Sequence, residues 1–386
     1  MALTTTVSLS QLYGGPERAG GLDYRRARSL SGPREDLPFK WAVVGGHTGA
    51  WAPNPAAAML RQEPSDRAAA AAWHALLEGA DVQRAVIEAI KVVDLDVNVI
   101  ASLGSAPQRD GVIRCDSAFA HGVDGGLNWG AVTGTEGIVH PVEAAAYMAD
   151  QRENVCGTPG AAWIAEQLGL ERRDNALWRQ AYEESAEYRW GLRRESGTDT
   201  AGFGAVVVRW DGSIEYAMGT CTGGFPDAIP GRQSDASVKD AGFGISSASF
   251  GVSMVMFSGR GENNQDISAG RIAEDALWHA TLSQNCHGVL GRLLQHGGTS
   301  GPSGVIGLRL AYPRGDRSPT VQLVHAMSVD HFPATFLASG GAVVEAVTYA
   351  RRGDTPVRVH STPFHAVQDL TLETPPMEPS DNTRAL

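Results

Sequence analysis

Residues Glu195–Trp210 read ESGTDTAGFGAVVVRW. A charged, helix-like segment breaks at Gly197, and two threonines then flank one aspartate, Thr198-Asp199-Thr200. The run Gly202-Phe203-Gly204-Ala205-Val206-Val207-Val208 follows at once, and its apolar continuity reads as a buried strand. Gly, Asp and Thr are ordinary turn residues, so a plain loop explains the composition of the hinge. The alternative is a chain meant to be cut before Thr200, which would make that threonine a new N-terminus.

Outward from this hinge the pattern is that of paired strands. Asp211-Gly212 is a hairpin turn signal, and Ser213–Thr220 brings the chain back. The return strand ends in Gly219-Thr220-Cys221-Thr222-Gly223-Gly224, so Thr200 and Thr222 stand at the ends of paired strands. Beyond it, Ser246–Phe257 reads as one more strand region, 267–296 as a long helix, and Val305–Leu310, Val321–Met327 and Val343–Tyr349 as closing strands. Before the hinge, Trp41–Val44 reads as a strand running into the turn Gly45-Gly46-His47-Thr48-Gly49. Helices follow at Ala68–Leu77, with Ser65 as N-cap, and at Asp81–Val93. Strands are expected at Val112–Phe119 and Leu127–Val132. Helices are expected at Val142–Gln151, Ala161–Leu168 and 174–194. This order fits two packed sheets with helices outside, or a single α+β layer structure.

The bulk numbers narrow the function. A chain of 386 residues with a net charge of −11 and no basic run argues against a nucleic-acid partner. Its 42% hydrophobic and 19% charged content is globular. The four cysteines, Cys115, Cys156, Cys221 and Cys286, form no C-x-x-C pair, so neither a zinc site nor a disulfide framework is signalled. His287 beside Cys286 lacks partners for a metal. The start MALTTTVSLSQLYGG has no basic stretch before an apolar core, and no apolar run reaches bilayer length. A cytoplasmic protein without membrane, metal or cofactor is expected. The Gly45–Gly49 turn follows a strand as a phosphate loop would, but it lacks the G-x-G-x-x-G spacing.

Two further stretches carry chemistry. Pro230-Gly231-Arg232-Gln233-Ser234-Asp235 places a guanidinium and a carboxylate close together. An arginine fork binds carboxylate and an aspartate receives ammonium, so the pair suits the head of an amino acid; a surface ion pair is the bland alternative. Ser258-Gly259-Arg260-Gly261-Glu262-Asn263 ends a strand with exposed glycine amides, which can hold an oxyanion or form a generic turn.

Taken in order, Asp-Thr before a strand, T-x-T-G-G, G-R-x-x-D and [ST]-G-x-G-E resemble the N-terminal-nucleophile hydrolases of the plant-type asparaginase, isoaspartyl peptidase and glycosylasparaginase family. Upstream, Leu103-Gly104-Ser105, Cys115-Asp116-Ser117-Ala118, Trp129-Gly130-Ala131-Val132 and His140-Pro141-Val142-Glu143-Ala144 look like landmarks of the same family. The match covers about residues 40 to 310.

The resemblance implies an α+β fold: a four-layer αββα sandwich, two stacked and mainly antiparallel sheets between helix layers. It implies one domain, built from 40–199 and 200–373. An irregular extension over 1–39 and a disordered tail over 374–386 flank it. It implies self-cleavage between Asp199 and Thr200, with Thr200 as nucleophile and its freed α-amine as base. Thr222 would hydrogen-bond the nucleophile, and Ser258 with the Gly259 amide would form the oxyanion hole. Arg232 would hold the substrate α-carboxylate, Asp235 its α-amino group, and Trp51 would line the pocket. The substrate would be a small β-aspartyl amide (glycosylasparagine, isoaspartyl peptide or asparagine) and the assembly a homodimer of cleaved protomers.

The chain also departs from the pattern. Counting back from Gly204-Ala205-Val206 puts the nucleophile at Gly202, and the return strand to Thr222 is longer than the family pattern by about two residues. Ser258 replaces a threonine, and Ile100 stands where many relatives carry an asparagine. An uncut relative that binds an amino-acid-like ligand, and a specialised biosynthetic hydrolase or acyl transferase, are the alternatives.

Overall fold

The computed structural model describes residues 6–8, 21–28, 35–50, 55–185, 188, 200–259, 261, 265, 268, 270–271, 303–311, 320–329, 332–339, 343–352, 355–356 and 364–367. Its centre is the hairpin of β7 (Ala201–Val208) and β8 (Ile214–Thr222), paired antiparallel from Val208↔Ile214 back to Ala201↔Cys221. On one side β7 pairs with β3 (Trp41–His47), and on the other β8 pairs with β4 (Cys115–Val123). Adding β5 (Asn128–Thr135), β6 (Val155–Cys156), β13 (Ala334–Ala338), β16 (Phe364–Val367) and β1 (Thr6–Ser8) gives a nine-stranded sheet, ordered β1-β16-β13-β3-β7-β8-β4-β5-β6.

The second sheet has seven strands. It runs from β9 (Phe243–Ala248) through β10 (Gly251–Gly259), β11 (Ser303–Ala311), β12 (Thr320–Met327) and β14 (Val343–Arg352) to β15 (Thr355–Pro356), with β2 (Gly21–Arg28) also on β14. Most pairs are antiparallel; β12–β14, β13–β16 and β5–β6 are parallel.

Side-chain alternation divides the core in two, as a pleat of period two requires. Val43, Val206, Val208, Tyr216 and Met218 of the first sheet meet Met254, Met256, Ile306 and Leu308 of the second. The opposite face of the first sheet, with Ala42, Val44, Phe203, Ala205, Val207 and Phe119, is covered by helices. These are α1 (Pro55–Leu77), α2 (Val82–Asp94), α3 (Pro141–Ala149) and α4 (Thr158–Leu168). Helix α5 (Asn175–Glu184) buries Trp178 and Tyr182 against Ile113 and Cys115. On α2 the buried Val82, Ala85, Val86, Ala89, Ile90 and Val93 form one helical stripe, and Asp81 caps it by accepting from the Arg84 amide at 2.7 Å.

Several expectations change. The helix expected from Ala68 begins at Pro55 and carries Pro64 inside it. Ser65 is no cap: it is buried, and its oxygen accepts from the Thr335 hydroxyl at 3.1 Å. Gly45 and Gly46 belong to a strand rather than a turn. The rings of Phe336 and Phe203 lie where their Cβ atoms would be, at 2.2 and 2.0 Å, so only glycine fits. The single strand expected at Ser246–Phe257 is two, closed by Ser249-Phe250 between Ala248 and Gly251. The segment expected as an irregular extension contains β1 and β2, held by backbone pairing to β16 and β14 near the other end of the chain. The helix expected over 267–296 falls almost entirely outside the described residues, as does the tail over 374–386.

Candidate active site

Thr200 lies just before β7 and is 1% exposed. The pairing Ala201↔Cys221 carries on to set Thr200 opposite Thr222. The length of β7 is thus matched by the length of β8. The offset counted along the outgoing strand and the long return strand cancel, and the register extended by one residue sets the two threonines opposite each other.

Alternation then fixes their faces. Val206 and Val208 on β7, and Tyr216 and Met218 on β8, face the second sheet, so Thr200 and Thr222 face it too. On β10 the inward residues Val252, Met254 and Met256 put Ser258 on the facing surface. Three hydroxyl residues from three strand ends therefore converge at one end of the space between the sheets. The contact is direct: the Ser258 hydroxyl accepts from the Thr200 amide at 3.2 Å and from the Ala50 amide at 2.7 Å. That Thr200 nitrogen belongs to the peptide bond that self-cleavage would break. Thr222 Oγ1 accepts from the Gly224 amide at 3.1 Å. Gly259 has φ 146°, a backbone open to glycine alone, and ends β10 beside this group.

The expected recognition pair sits on the next loop. The Arg232 guanidinium lies 4.6 Å over the Phe225 ring. Its Nη1 is 3.1 Å from where a Cβ would project at Gly224, so the T-x-T-G-G glycines leave room for it. A depression of about 390 Å³ lined by Phe225, Ile229, Pro230, Gly231 and Arg232 opens there. Asp235 is 1% exposed and begins a 3-10 turn, Asp235–Ser237. Its Oδ1 is 2.4 Å from where a Cβ would stand at Gly261, which ties this carboxylate to the chain leaving β10. Trp51, Asp199 and Arg260 lie outside the described residues.

Sequence reasoning missed two neighbours. His47 pairs with Gly202 and packs 5.0 Å from the Phe332 ring. Burial above all, and then His325, lower its pKa to about 3, against the pull of the Thr200 backbone, so the ring is neutral. His325 is stacked on Phe332, and its Nε2 lies 2.8 Å from the Phe332 carbonyl; burial lowers its pKa to about 4. Asp116 is the second: it pairs with Thr222 across the β4–β8 ladder and is buried. Burial pushes its carboxyl up, against the Gly134 and Ser234 amides and Arg232.

Cys221 does not share the site. It faces the helices, where burial holds its thiol well above the usual range and makes it a poor nucleophile. Ile100 is buried, and its carbonyl accepts from the Gly223 amide at 3.3 Å; backbone rather than side chain supports the T-x-T-G-G segment there.

Three strand-end hydroxyls and an Arg/Asp pair thus lie on a two-sheet sandwich. A family profile described as Asparaginase matches residues 41–311. The chain belongs to this family of N-terminal-nucleophile hydrolases, and its sandwich is theirs.

Among similar proteins, a probable isoaspartyl peptidase/L-asparaginase of Drosophila pseudoobscura pseudoobscura is 27% identical, over 60% of this chain and 76% of its own. An isoaspartyl peptidase/L-asparaginase of Bos taurus is 27% identical, over 60% and 73%. A plant-type L-asparaginase of Pyrobaculum calidifontis is 29% identical, over 52% and 68%. Among the described residues no helix is long and apolar enough to cross a membrane.

Proposed function

We propose that the chain cuts itself between Asp199 and Thr200 and then hydrolyses the amide of a β-aspartyl compound. The observation that carries the reading is the placement of Thr200. It is buried at the head of β7, opposite Thr222, with its amide on the Ser258 hydroxyl.

In the first stage the Thr200 hydroxyl attacks the Asp199 carbonyl carbon. The carbon–nitrogen bond breaks, an ester forms, and the nitrogen becomes an amine. Ser258 stands beside that departing nitrogen. Water then opens the ester, freeing the Asp199 carboxylate and the Thr200 hydroxyl.

In the second stage the new α-amine takes the proton of its own hydroxyl, as in other N-terminal threonine nucleophiles. The hydroxyl attacks the side-chain amide carbonyl of the substrate. Ser258 and the Gly259 amide hold the oxyanion, and the leaving amine departs with the proton. Water releases L-aspartate from the acyl-enzyme. Arg232 grips the α-carboxylate with two parallel hydrogen bonds, and Asp235 receives the α-ammonium. Thr222 hydrogen-bonds the nucleophile. The names of the relatives favour asparagine and β-aspartyl peptides over glycosylasparagine.

Release of L-aspartate from L-asparagine, a β-aspartyl dipeptide and a glycosylasparagine tests the reading. Turnover of at least one, abolished in Thr200→Ala, is the expected result. No release from any of them by cut protein overturns it.

A further inference from the structure

We infer that Asp116 is a positioning residue that sets the substrate loop at its working distance from the nucleophile. The inference rests on the functional reading above and names a part of the machinery that reading leaves out. Asp116 is 5% exposed. Its two oxygens are each taken by a backbone amide from a different element. Oδ1 accepts from Gly134 at 2.7 Å, at the end of β5. Oδ2 accepts from Ser234 at 2.6 Å, between the two recognition residues.

The placement of these bonds gives them their meaning. Asp116 is the ladder partner of Thr222, which stands opposite Thr200. Ser234 lies two residues after Arg232 and immediately before Asp235. One buried carboxylate thus ties the segment carrying both substrate-head groups to the strand pair carrying the hydroxyls. A second tie supports the same loop, the Gly231 amide on Gln108 Oε1 at 3.1 Å. Hydrogen bonds to a buried carboxylate are short and strong, and a loop held by them loses little entropy when substrate arrives. Thr200, Thr222 and Ser258 themselves sit at strand ends rather than on this loop.

The test uses full-length protein carrying Asp116→Asn, Ser234→Pro, or both. The asparagine keeps the shape but can accept only through one atom and turns a donor toward the other amide. The proline removes the Ser234 donor from the opposite side, at a backbone φ of −87° near the range proline accepts.

Each single variant is expected to cut itself to the same extent as wild type and to keep kcat within about threefold. KM and the Kd for L-aspartate should rise at least about tenfold. The double variant should lose little beyond either single one, because both act on the Asp116–Ser234 tie. Unchanged KM and Kd in Asp116→Asn, beside an active wild type, overturn this inference alone. So do losses of self-cleavage, kcat and affinity in parallel, which a general loss of folding would produce. A wild type that neither turns over a β-aspartyl amide nor binds L-aspartate overturns the functional reading, and this inference with it.

Discussion

At the scale of single residues, His47 beside Thr200 and the neighbouring His325 are groups whose burial favours the folded state less as pH falls. His47 and His325 have folded pKa values of about 3 and 4, below the ordinary 6.5. The native state therefore binds fewer protons than the unfolded chain. Their stabilising effect is fully present above pH 6.5 and is lost as pH falls from there toward 4. Each contributes a slope of about 1.4 kcal/mol per pH unit within that window. Asp94, Asp96 and Asp116, whose carboxyls are pushed up by burial, act in the opposite sense, so the difference between variants is the clean readout. In the Thr200→Ala background, which should stay uncut, adding His47→Asn should flatten the pH dependence of unfolding free energy by about that slope. Parallel curves in denaturant titrations at pH 7 and pH 5 would refute this. Neither histidine could be placed from the sequence, because each is desolvated by strands remote from it in the chain. The hydroxyls and the Arg/Asp pair were legible because their order along the chain is itself a signature. The role of Asp116 was not, because its Ser234 partner lies 118 residues away.

At the scale of the element, the β7–β8 hairpin decides the site. Thr200 stands opposite Thr222 in the extended register because both strands run the same distance from the Asp211-Gly212 tip. A strand has a period of two, so losing one residue turns everything beyond it to the other face. Deleting Gly204 should turn Thr200 toward the helices and leave the chain uncut. Removing one tip residue, Gly212, changes the loop but not the ladder, and the cut should survive. Intact masses of the two variants decide it; a Gly204-deleted chain that still cuts before Thr200 contradicts the argument. The hairpin was readable from its glycine-spaced apolar run and its Asp-Gly tip. The neighbouring β9–β10 hairpin was not, because its Ser249-Phe250 turn carries no glycine, asparagine or proline to mark it. β1, β2 and β13 were hidden for another reason: they are short or polar strands fixed by partners distant in sequence.

At the scale of the molecule, the proposed cut would fall where the fold can bear it. After cleavage β7 would begin the second fragment, yet it would remain clamped between β3 of the first fragment and β8 of its own. The β4–β8 ladder crosses the cut as well, and so does the core between the sheets. The two fragments should therefore travel as one body under native conditions and part in denaturant. The measurement that bears most directly on the account is the intact mass of freshly purified protein, native and denatured, with N-terminal sequencing of any fragment. The account predicts one native species that denaturant resolves into two fragments, the second beginning Thr-Ala-Gly-Phe, and a single uncut chain for Thr200→Ala. A wild-type chain that stays whole for days, no different from Thr200→Ala, would contradict it, and would leave the Arg232–Asp235 pair as a site that binds an amino-acid-like ligand without cleaving it.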